Sequence, residues 1–107
     1  MKNEMKNGKQ LVSLSGEINA QTGAECKAFI IKLFDTANIL VLSFDKVVYL
    51  NSSGLREIID LLKNATKVKK ELRLCDMSKD IREMFTFTGL EKVFKIYDTQ
   101  AAALESK

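Results

Sequence analysis

The chain has 107 residues, enough for one small domain and too few for two. Apolar residues make up 46% and charged residues 29%, a balance that excludes a disordered chain, and no run of about 18 apolar residues would span a membrane. The net charge is only +3, and the densest basic run, residues 67–73 (KVKKELR), contains a glutamate and lacks aromatic residues. We therefore expect a solvated helix end and strand entry there, and no nucleic-acid binding.

The inventory of reactive side chains excludes most familiar enzyme classes. Histidine is absent, which removes Ser-His-Asp and Cys-His catalysis and the commonest metal ligand. Cys26 and Cys75 belong to no CxxC pair, so we expect two small core residues and no disulfide. The sequence contains no phosphate-binding loop, dinucleotide fingerprint or metal-ligand spacing. We expect no enzyme activity, no cofactor and no metal, and the polar first ten residues predict a cytoplasmic protein.

The first elements are predicted to form a hairpin. Residues 1–5 are predicted as an edge strand, and Asn7-Gly8 is the strongest short hairpin signal. Residues 10–15 alternate, with Val12 and Leu14 on one face. This alternation predicts a half-buried second strand that ends at Gly16.

A helix and a buried strand are predicted next. Residues 22–35 carry an apolar stripe at helical spacing, with Thr22 as the N-cap and Glu25 completing a capping box. The stripe consists of Cys26, Phe29, Ile30, Leu33 and Phe34. Residues 39–44 (ILVLSF) are almost continuously apolar, which favours a central strand covered on both faces. Residues 47–50 form a second short apolar run, in which we expect Tyr49 to pack against the core.

The second half of the chain continues the alternation of helix and strand. A helix is predicted from Gly54, with Arg56 and Asp60 as a weak surface pair. Its apolar stripe consists of Leu55, Ile58, Ile59 and Leu62. Residues 71–76 are predicted as a strand, and a third helix begins at Ser78 and ends near Gly89. A short strand around residues 93–96 and a helix over residues 99–105 complete the prediction.

This order of elements predicts the fold class. Strands that alternate with helices indicate an α/β fold with a largely parallel sheet, and the opening hairpin adds an antiparallel edge strand. We expect a mixed sheet of four to five strands with about four helices. Because no linker, repeat or low-complexity segment interrupts the pattern, we expect one domain over residues 1–107.

The turn Asn51-Ser52-Ser53-Gly54 is the most informative motif, and two interpretations of it are open. It follows a buried strand and opens a helix, so its polar residues can serve as an N-cap, which contributes about 1 kcal/mol over alanine. The same position can also hold a phosphate, because a helix N-terminus offers free N–H donors and a partial positive charge. Three polar residues and a glycine are more than a cap requires.

Four stretches in this order resemble the STAS domain family of anti-sigma factor antagonists. They are LSGEIN (14–19), ILVLSF (39–44), YLNSSGLREII (49–59) and ELRLCDMSKDIREMFTFTGLEKVFKIYDT (71–99), and they cover almost the whole chain. The hallmark of the family is an Asp-Ser-Ser/Thr-Gly-Leu turn after a strand. Residues 51–55 resemble it, with Asn51 in the first place.

The resemblance implies a regulatory binding protein controlled by phosphorylation. In the best-known members a partner anti-sigma kinase phosphorylates the serine that corresponds to Ser52, and the early loop, residues 16–19, lies near it and helps to contact the kinase. The implied partner is an anti-sigma factor or a serine-kinase-type regulator, with a PP2C-type phosphatase as a candidate for the reverse step. The implied partner-binding residues are Glu17, Asn19, Asn51, Ser52, Ser53, Gly54, Leu55 and Arg56.

Two positions depart from the family's pattern. Asn19 and Asn51 stand where the family has Asp, so a negative charge is missing at each. Asparagine still caps a helix, but it cannot act as a base or as a carboxylate partner of an arginine. These changes fit somewhat better with an alternative, a STAS subunit of an ABC-type lipid transporter in which the turn docks without phosphorylation. The sequence assigns neither the partner's identity nor the oligomeric state.

Overall fold

A computed structural model describes residues 1–106 and contains a mixed sheet with helices on both faces. Its strands are β1 (Lys2–Lys6), β2 (Lys9–Ile18), β3 (Ile39–Leu50), β4 (Glu71–Cys75) and β5 (Lys95–Tyr97). Its α-helices are α1 (Ala20–Lys32), α2 (Ser52–Lys67), α3 (Lys79–Phe87) and α4 (Gln100–Glu105). The strands lie in chain order, with β1 antiparallel to β2 and every other pair parallel. The prediction of an α/β fold with a mixed sheet of four to five strands and about four helices is confirmed, since the structure has five strands and four α-helices.

The opening hairpin forms as its turn residues predict. Asn7 and Gly8 have φ angles of 54° and 75°, which the two central residues of a type I′ turn require. The turn fixes the register, with Lys6 opposite Lys9 and Lys2 opposite Ser13. The first strand is therefore held at the edge of the sheet through β2 alone.

The sheet has a packed core on each face. The larger core includes Leu14, Leu42 and Phe85, and α1, α2 and α3 contribute to it. A smaller core on the other face joins Leu11, Val41 and Cys75 to Ala103 and Leu104 of α4. On the face of β2 that was predicted to be exposed, α4 covers Leu11, whereas Ser13 stays partly exposed and Ser15 exposed. The predicted half-buried strand is therefore buried on both faces only at its start.

Several predicted boundaries change because tertiary contacts extend the strands. The second strand does not end at Gly16, which adopts a φ of +75° inside it, and pairing with β3 continues to Ile18. The helix predicted from Thr22 starts at Ala20 with Asn19 as its N-cap. Thr22, and not Glu25, completes the capping box of this helix. The two apolar runs at 39–44 and 47–50 are one strand, and α2 begins at Ser52 rather than at Gly54.

The basic run at residues 67–73 is not wholly a solvated surface. Arg73 is only 1% exposed, and its guanidinium donates to the Glu71 carboxylate. The same group donates to the backbone oxygens of Ala103 and Ser106, each at 2.7 Å, and lies 5.6 Å from the centre of the Tyr97 ring. Arg73 thereby holds the C-terminal end of α4 against the sheet.

Candidate partner-binding surface

The carboxyl ends of β2 and β3 lie side by side, and α1 and α2 begin there. Glu17 lies opposite Tyr49, and Ile18 lies opposite Leu50. The backbone N–H of Asn51 donates to the Ile18 carbonyl at 3.1 Å. The early loop and the turn after β3, more than 30 residues apart in sequence, therefore form one surface.

The side chains of Asn19 and Asn51 have the same structural role. The Asn19 side chain accepts from the Thr22 N–H at 2.9 Å, and the Asn51 side chain accepts from the Gly54 N–H at 2.7 Å. Each therefore caps the first turn of its helix through an oxygen that an aspartate would also supply. Both caps are neutral, and the first turns of α1 and α2 contain no acidic residue.

Gly54 is explained by packing. A Cβ atom at this position would lie 2.2 Å from the Ile18 carbonyl oxygen and 2.6 Å from its carbon. Both atoms belong to backbone that the sheet fixes, so no side chain can be placed there without displacing α2 from β2. Leu55 is buried in the core beside it. Of the residues predicted to bind a partner, Gly54 and Leu55 thus shape the turn from inside rather than reach outward.

The other predicted residues reach the surface to different degrees. Ser52, Ser53, Glu17 and Arg56 are exposed, whereas the capping side chains of Asn19 and Asn51 are half-buried. Ser52 and Ser53 are the first two residues of α2, and the helix itself supplies no acceptor for their backbone N–H groups. The turn therefore presents two hydroxyls and two free donors outward.

Tyr49 contradicts the prediction that it packs against the core, since it is 54% exposed. The pairing of β2 with β3 shifts between Gly16–Val47 and Glu17–Tyr49, which leaves Val48 as an extra residue in β3. Such a bulge interrupts the alternation of a strand and re-aims the next side chain. Val48, 75% exposed, and Tyr49 thus add two exposed apolar side chains just before the turn, which the sequence pattern did not reveal.

The predicted surface pair between Arg56 and Asp60 does not form. Asp60 instead accepts from Lys27 of α1 at 2.8 Å, and Glu57 lies 3.0 Å from the same ammonium group. The hydrogen bond from Lys27 lowers the pKa of Asp60, and the bond to Asp60 raises the pKa of Lys27. Because Asp60 pairs with Lys27, Arg56 has no ion pair among residues 1–106. Arg56 is exposed and lies one helical turn from Ser52.

The serine hydroxyls of the turn and the Cys75 thiol lie in different environments. No base lies within hydrogen-bond distance of the Ser52 or Ser53 hydroxyl in the described part of the chain. The Cys75 thiol is buried, and burial, followed by the neighbouring Asp76 carboxylate, raises its pKa to about 12. Across residues 1–106 no group of three or more potential ligands forms a metal site, and no helix is long and apolar enough to cross a membrane.

A family model described as the STAS domain matches residues 3–103. The chain belongs to the STAS domain family. The junction described above, where the early loop meets the turn at residues 51–55, lies within the matched residues of this STAS protein.

Relatives of this STAS protein are named as anti-sigma factor antagonists. BtrV of Bordetella bronchiseptica, named as a candidate antagonist, is 27% identical over 97 residues, which are 90% of this chain and 84% of BtrV. The anti-sigma F factor antagonist of Paenibacillus polymyxa is 27% identical over 103 residues, 94% of this chain and 88% of the relative. These relatives favour an antagonist-like STAS protein over the transporter subunit.

Solved structures share the fold at lower identity. A candidate antagonist from Thermotoga maritima superposes with a TM-score of 0.87 at 21% identity, covering 97% of this chain and 91% of that one. The phosphorylated form of the Bacillus cell-fate determinant SpoIIAA superposes with a TM-score of 0.71 at 21% identity, covering 97% and 96%. At such identities the likeness shows the fold alone.

Proposed function

We propose that this STAS protein is an anti-sigma factor antagonist whose binding to a protein partner is switched by phosphorylation of Ser52. The observation that carries the proposal is the position of Ser52, exposed at the first residue of a capped helix and beside the early loop. The partner is an anti-sigma factor or a related serine kinase, and a PP2C-type phosphatase would reverse the modification. The two antagonists related to this chain support the partner class.

The first turn of α2 can accept a phosphate without unfolding. The N–H groups of Ser52 and Ser53 are free of helical acceptors, and the partial positive charge of the helix start favours an anion. Arg56 follows Ser52 by four residues, on the same side of the helix, and has no competing carboxylate. The modification would therefore change the surface and leave the fold intact.

The effect on a partner follows from where the charge appears. A phosphate adds about −1.5 to −2 charges at pH 7 to a surface on which Val48 and Tyr49 are exposed. A partner that covers these apolar side chains would have to desolvate the phosphate, which costs several kcal/mol unless it supplies a cation. Phosphorylation would thus release the partner.

The missing carboxylates at Asn19 and Asn51 change how the partner is recognised. The side-chain oxygens of Asn19 and Asn51 already accept hydrogen bonds from the backbone of their own helices, so these residues offer the partner neither a charge nor a free capping oxygen. Glu17 is the remaining acidic group of the early loop, and it is exposed. We infer that docking depends on Glu17 and on the exposed side chains of Val48 and Tyr49 more than on net negative charge.

The experiment compares wild type with Ser52→Asp, Ser52→Ala and Ser53→Asp. Lysate of the native host would be passed over each protein, bound chains identified by mass spectrometry, and the dissociation constant of the recovered kinase or anti-sigma factor measured by calorimetry. We expect Ser52→Asp to weaken binding at least tenfold, Ser52→Ala to bind normally and resist phosphorylation, and Ser53→Asp to have a smaller effect.

Two outcomes would contradict the proposal. Equal affinity of wild type and Ser52→Asp would remove the switch. Recovery of transporter subunits by both forms, with no kinase, would make the turn a constitutive docking site and restore the alternative.

A further inference from the structure

The strand β1 leaves one long edge of the sheet open. All five of its residues are exposed, and only β2 pairs with it. The opposite edge is the three-residue strand β5. An open edge offers unpaired N–H and C=O groups to another strand.

The hairpin determines which backbone groups of β1 point outward. A two-residue turn closes on a hydrogen-bonded pair, here Lys6 and Lys9, and hydrogen-bonded pairs then alternate along an antiparallel ladder. Lys6, Glu4 and Lys2 therefore bond to β2. Asn3 and Met5 direct their N–H and C=O groups away from β2 and toward solvent.

We propose that two copies of this chain pair through antiparallel β1 strands, with Asn3 of one copy opposite Asn3 of the other. The hydrogen-bonded positions of such a pair must be Asn3 and Met5, because only these direct their groups outward. With at least three strand residues paired, this condition permits pairings centred on Asn3, on Glu4 and on Met5. Centring on Met5 would place Asn3 opposite Asn7, which lies in the turn with a φ of 54° and cannot continue the ladder, so the first two registers remain. The charges of the strand distinguish the two registers.

In the pairing centred on Asn3, Lys2 of each copy lies opposite Glu4 of the second copy, which makes two opposite-charge pairs. In the pairing centred on Glu4, the two Glu4 residues face each other and Lys2 faces Lys6, which makes three like-charge contacts. Opposite charges across strands stabilise a sheet and like charges destabilise it. Of these two registers, only the one centred on Asn3 makes the strand sequence Lys-Asn-Glu-Met-Lys self-complementary.

The apolar side chains agree with the same register. Centring on Asn3 places Met5 of each copy next to Met1 of the second copy, and these two residues are about half exposed in the single chain. Both methionines lie on the face of the sheet opposite to the charged pairs, since successive side chains alternate. A dimer would cover them.

The association should be weak, because the paired segment is five residues long. A specific interface normally buries roughly 1,200–2,000 Å², more than one strand pair provides. We therefore expect a dissociation constant in the range of tens of micromolar to about 1 millimolar, with binding that weakens as salt rises.

The test is sedimentation equilibrium of the full chain up to about 1 millimolar at low salt, with four charge variants. Lys2→Glu and Glu4→Lys should each weaken dimerisation roughly tenfold, because both symmetric pairs become repulsive. The double variant Lys2→Glu/Glu4→Lys should restore the wild-type value. Lys6→Glu is the matched control and should have little effect, because Lys6 lies outside the paired segment in the proposed register.

Amide hydrogen exchange supplies a second readout, which reports backbone pairing rather than charge. At high protein concentration the amides of Asn3 and Met5 should become protected, while the Glu4 amide, bonded to β2 in both states, should not change. All β1 side chains are exposed, so the variants should keep their circular dichroism spectrum and melting temperature.

Three results would overturn the proposal. A chain that stays monomeric at about 1 millimolar does not pair, and a dimer indifferent to all four variants pairs elsewhere. A dimer that Lys2→Glu or Lys6→Glu tightens would be centred on Glu4.

Discussion

Two helices of this protein are fixed to the same sheet by opposite means. At the partner-binding surface, α2 is held by the neutral cap of Asn51 and by the missing side chain of Gly54. On the other face, α4 is held by the buried charge of Arg73. A buried charge requires partners on every side, whereas the Asn51 cap and Gly54 contact only backbone groups. At the start of α2, the exposed side chains therefore remain available to a partner. At α4, the buried charge only keeps the helix packed against the sheet.

The largest expected effect tests the glycine. Replacing Gly with Ala inside a helix normally stabilises it by about 1 kcal/mol. At Gly54 the new Cβ would lie 2.2 Å from the Ile18 carbonyl oxygen, so we expect a loss of about 3 kcal/mol or more in the free energy of unfolding. Urea denaturation followed by circular dichroism measures this difference.

Ser53→Ala is the matched control, since Ser53 is exposed in the same turn. We expect it to change stability by less than about 0.5 kcal/mol. If Gly54→Ala were as stable as this control, the close contact between Gly54 and the Ile18 carbonyl would not be what requires a glycine. Contact with the partner would then be the remaining explanation for Gly54.

The next effect concerns the buried charge. Arg73→Met keeps most of the apolar volume but removes the donors to the Ala103 and Ser106 carbonyls. We expect a loss of about 2–3 kcal/mol, less than for a fully buried pair because Glu71 keeps its bond to Lys95. Hydrogen exchange should show α4 opening before the rest of the fold.

Partner affinity tests whether the region around Arg73 is independent of the partner-binding surface. Because α4 packs on the face away from α1 and α2, folded Arg73→Met should bind the partner of the proposed function with wild-type affinity. A loss of affinity in the folded variant would mean that the two regions are coupled.

The two regions also differ in how far their sequence predicts them. Periodicity predicted the helices and strands, and the Asn-Gly pair predicted the hairpin, because these signals are local. The burial of Arg73 was missed because its acceptors lie 30 and 33 residues away. The exposure of Tyr49 was missed because it depends on a bulge against β2. The resemblance to a family supplied the candidate residues, but only packing distinguishes Gly54 and Leu55, which face inward, from the exposed Ser52.

A smaller effect compares the neutral cap with a charged one. Asn51→Ala removes the acceptor of the Gly54 N–H and should cost about 1 kcal/mol in the free energy of unfolding. Asn51→Asp restores the acidic residue of the family and should be neutral or stabilising by up to about 1 kcal/mol, because a carboxylate interacts favourably with the helix start. Thermal unfolding at neutral pH compares the three proteins.

The affinity of Asn51→Asp for the partner tests whether the asparagine contributes to recognition. If Asn51→Asp changes partner binding and leaves stability intact, the asparagine was serving recognition. If it changes neither, the neutral cap is only an equivalent way to begin α2.

The smallest expected effect is the pH dependence of stability that arises from Glu71, the carboxylate paired with the buried Arg73. Burial alone would raise the pKa of Glu71, but the hydrogen bonds from Lys95 and Arg73 outweigh it and lower the pKa from its ordinary value of 4.5. A lowered pKa in the folded state means that Glu71 stabilises the protein above pH 4.5 and that this contribution is lost as the pH falls through the folded value. Glu71→Gln should therefore reduce the loss of stability on acidification, measured by urea denaturation from pH 6 downward. No comparable dependence should arise from the caps of Asn19 and Asn51, because amides do not titrate, so an unchanged acid profile in Glu71→Gln would indicate that α4 is held without the charge of Glu71.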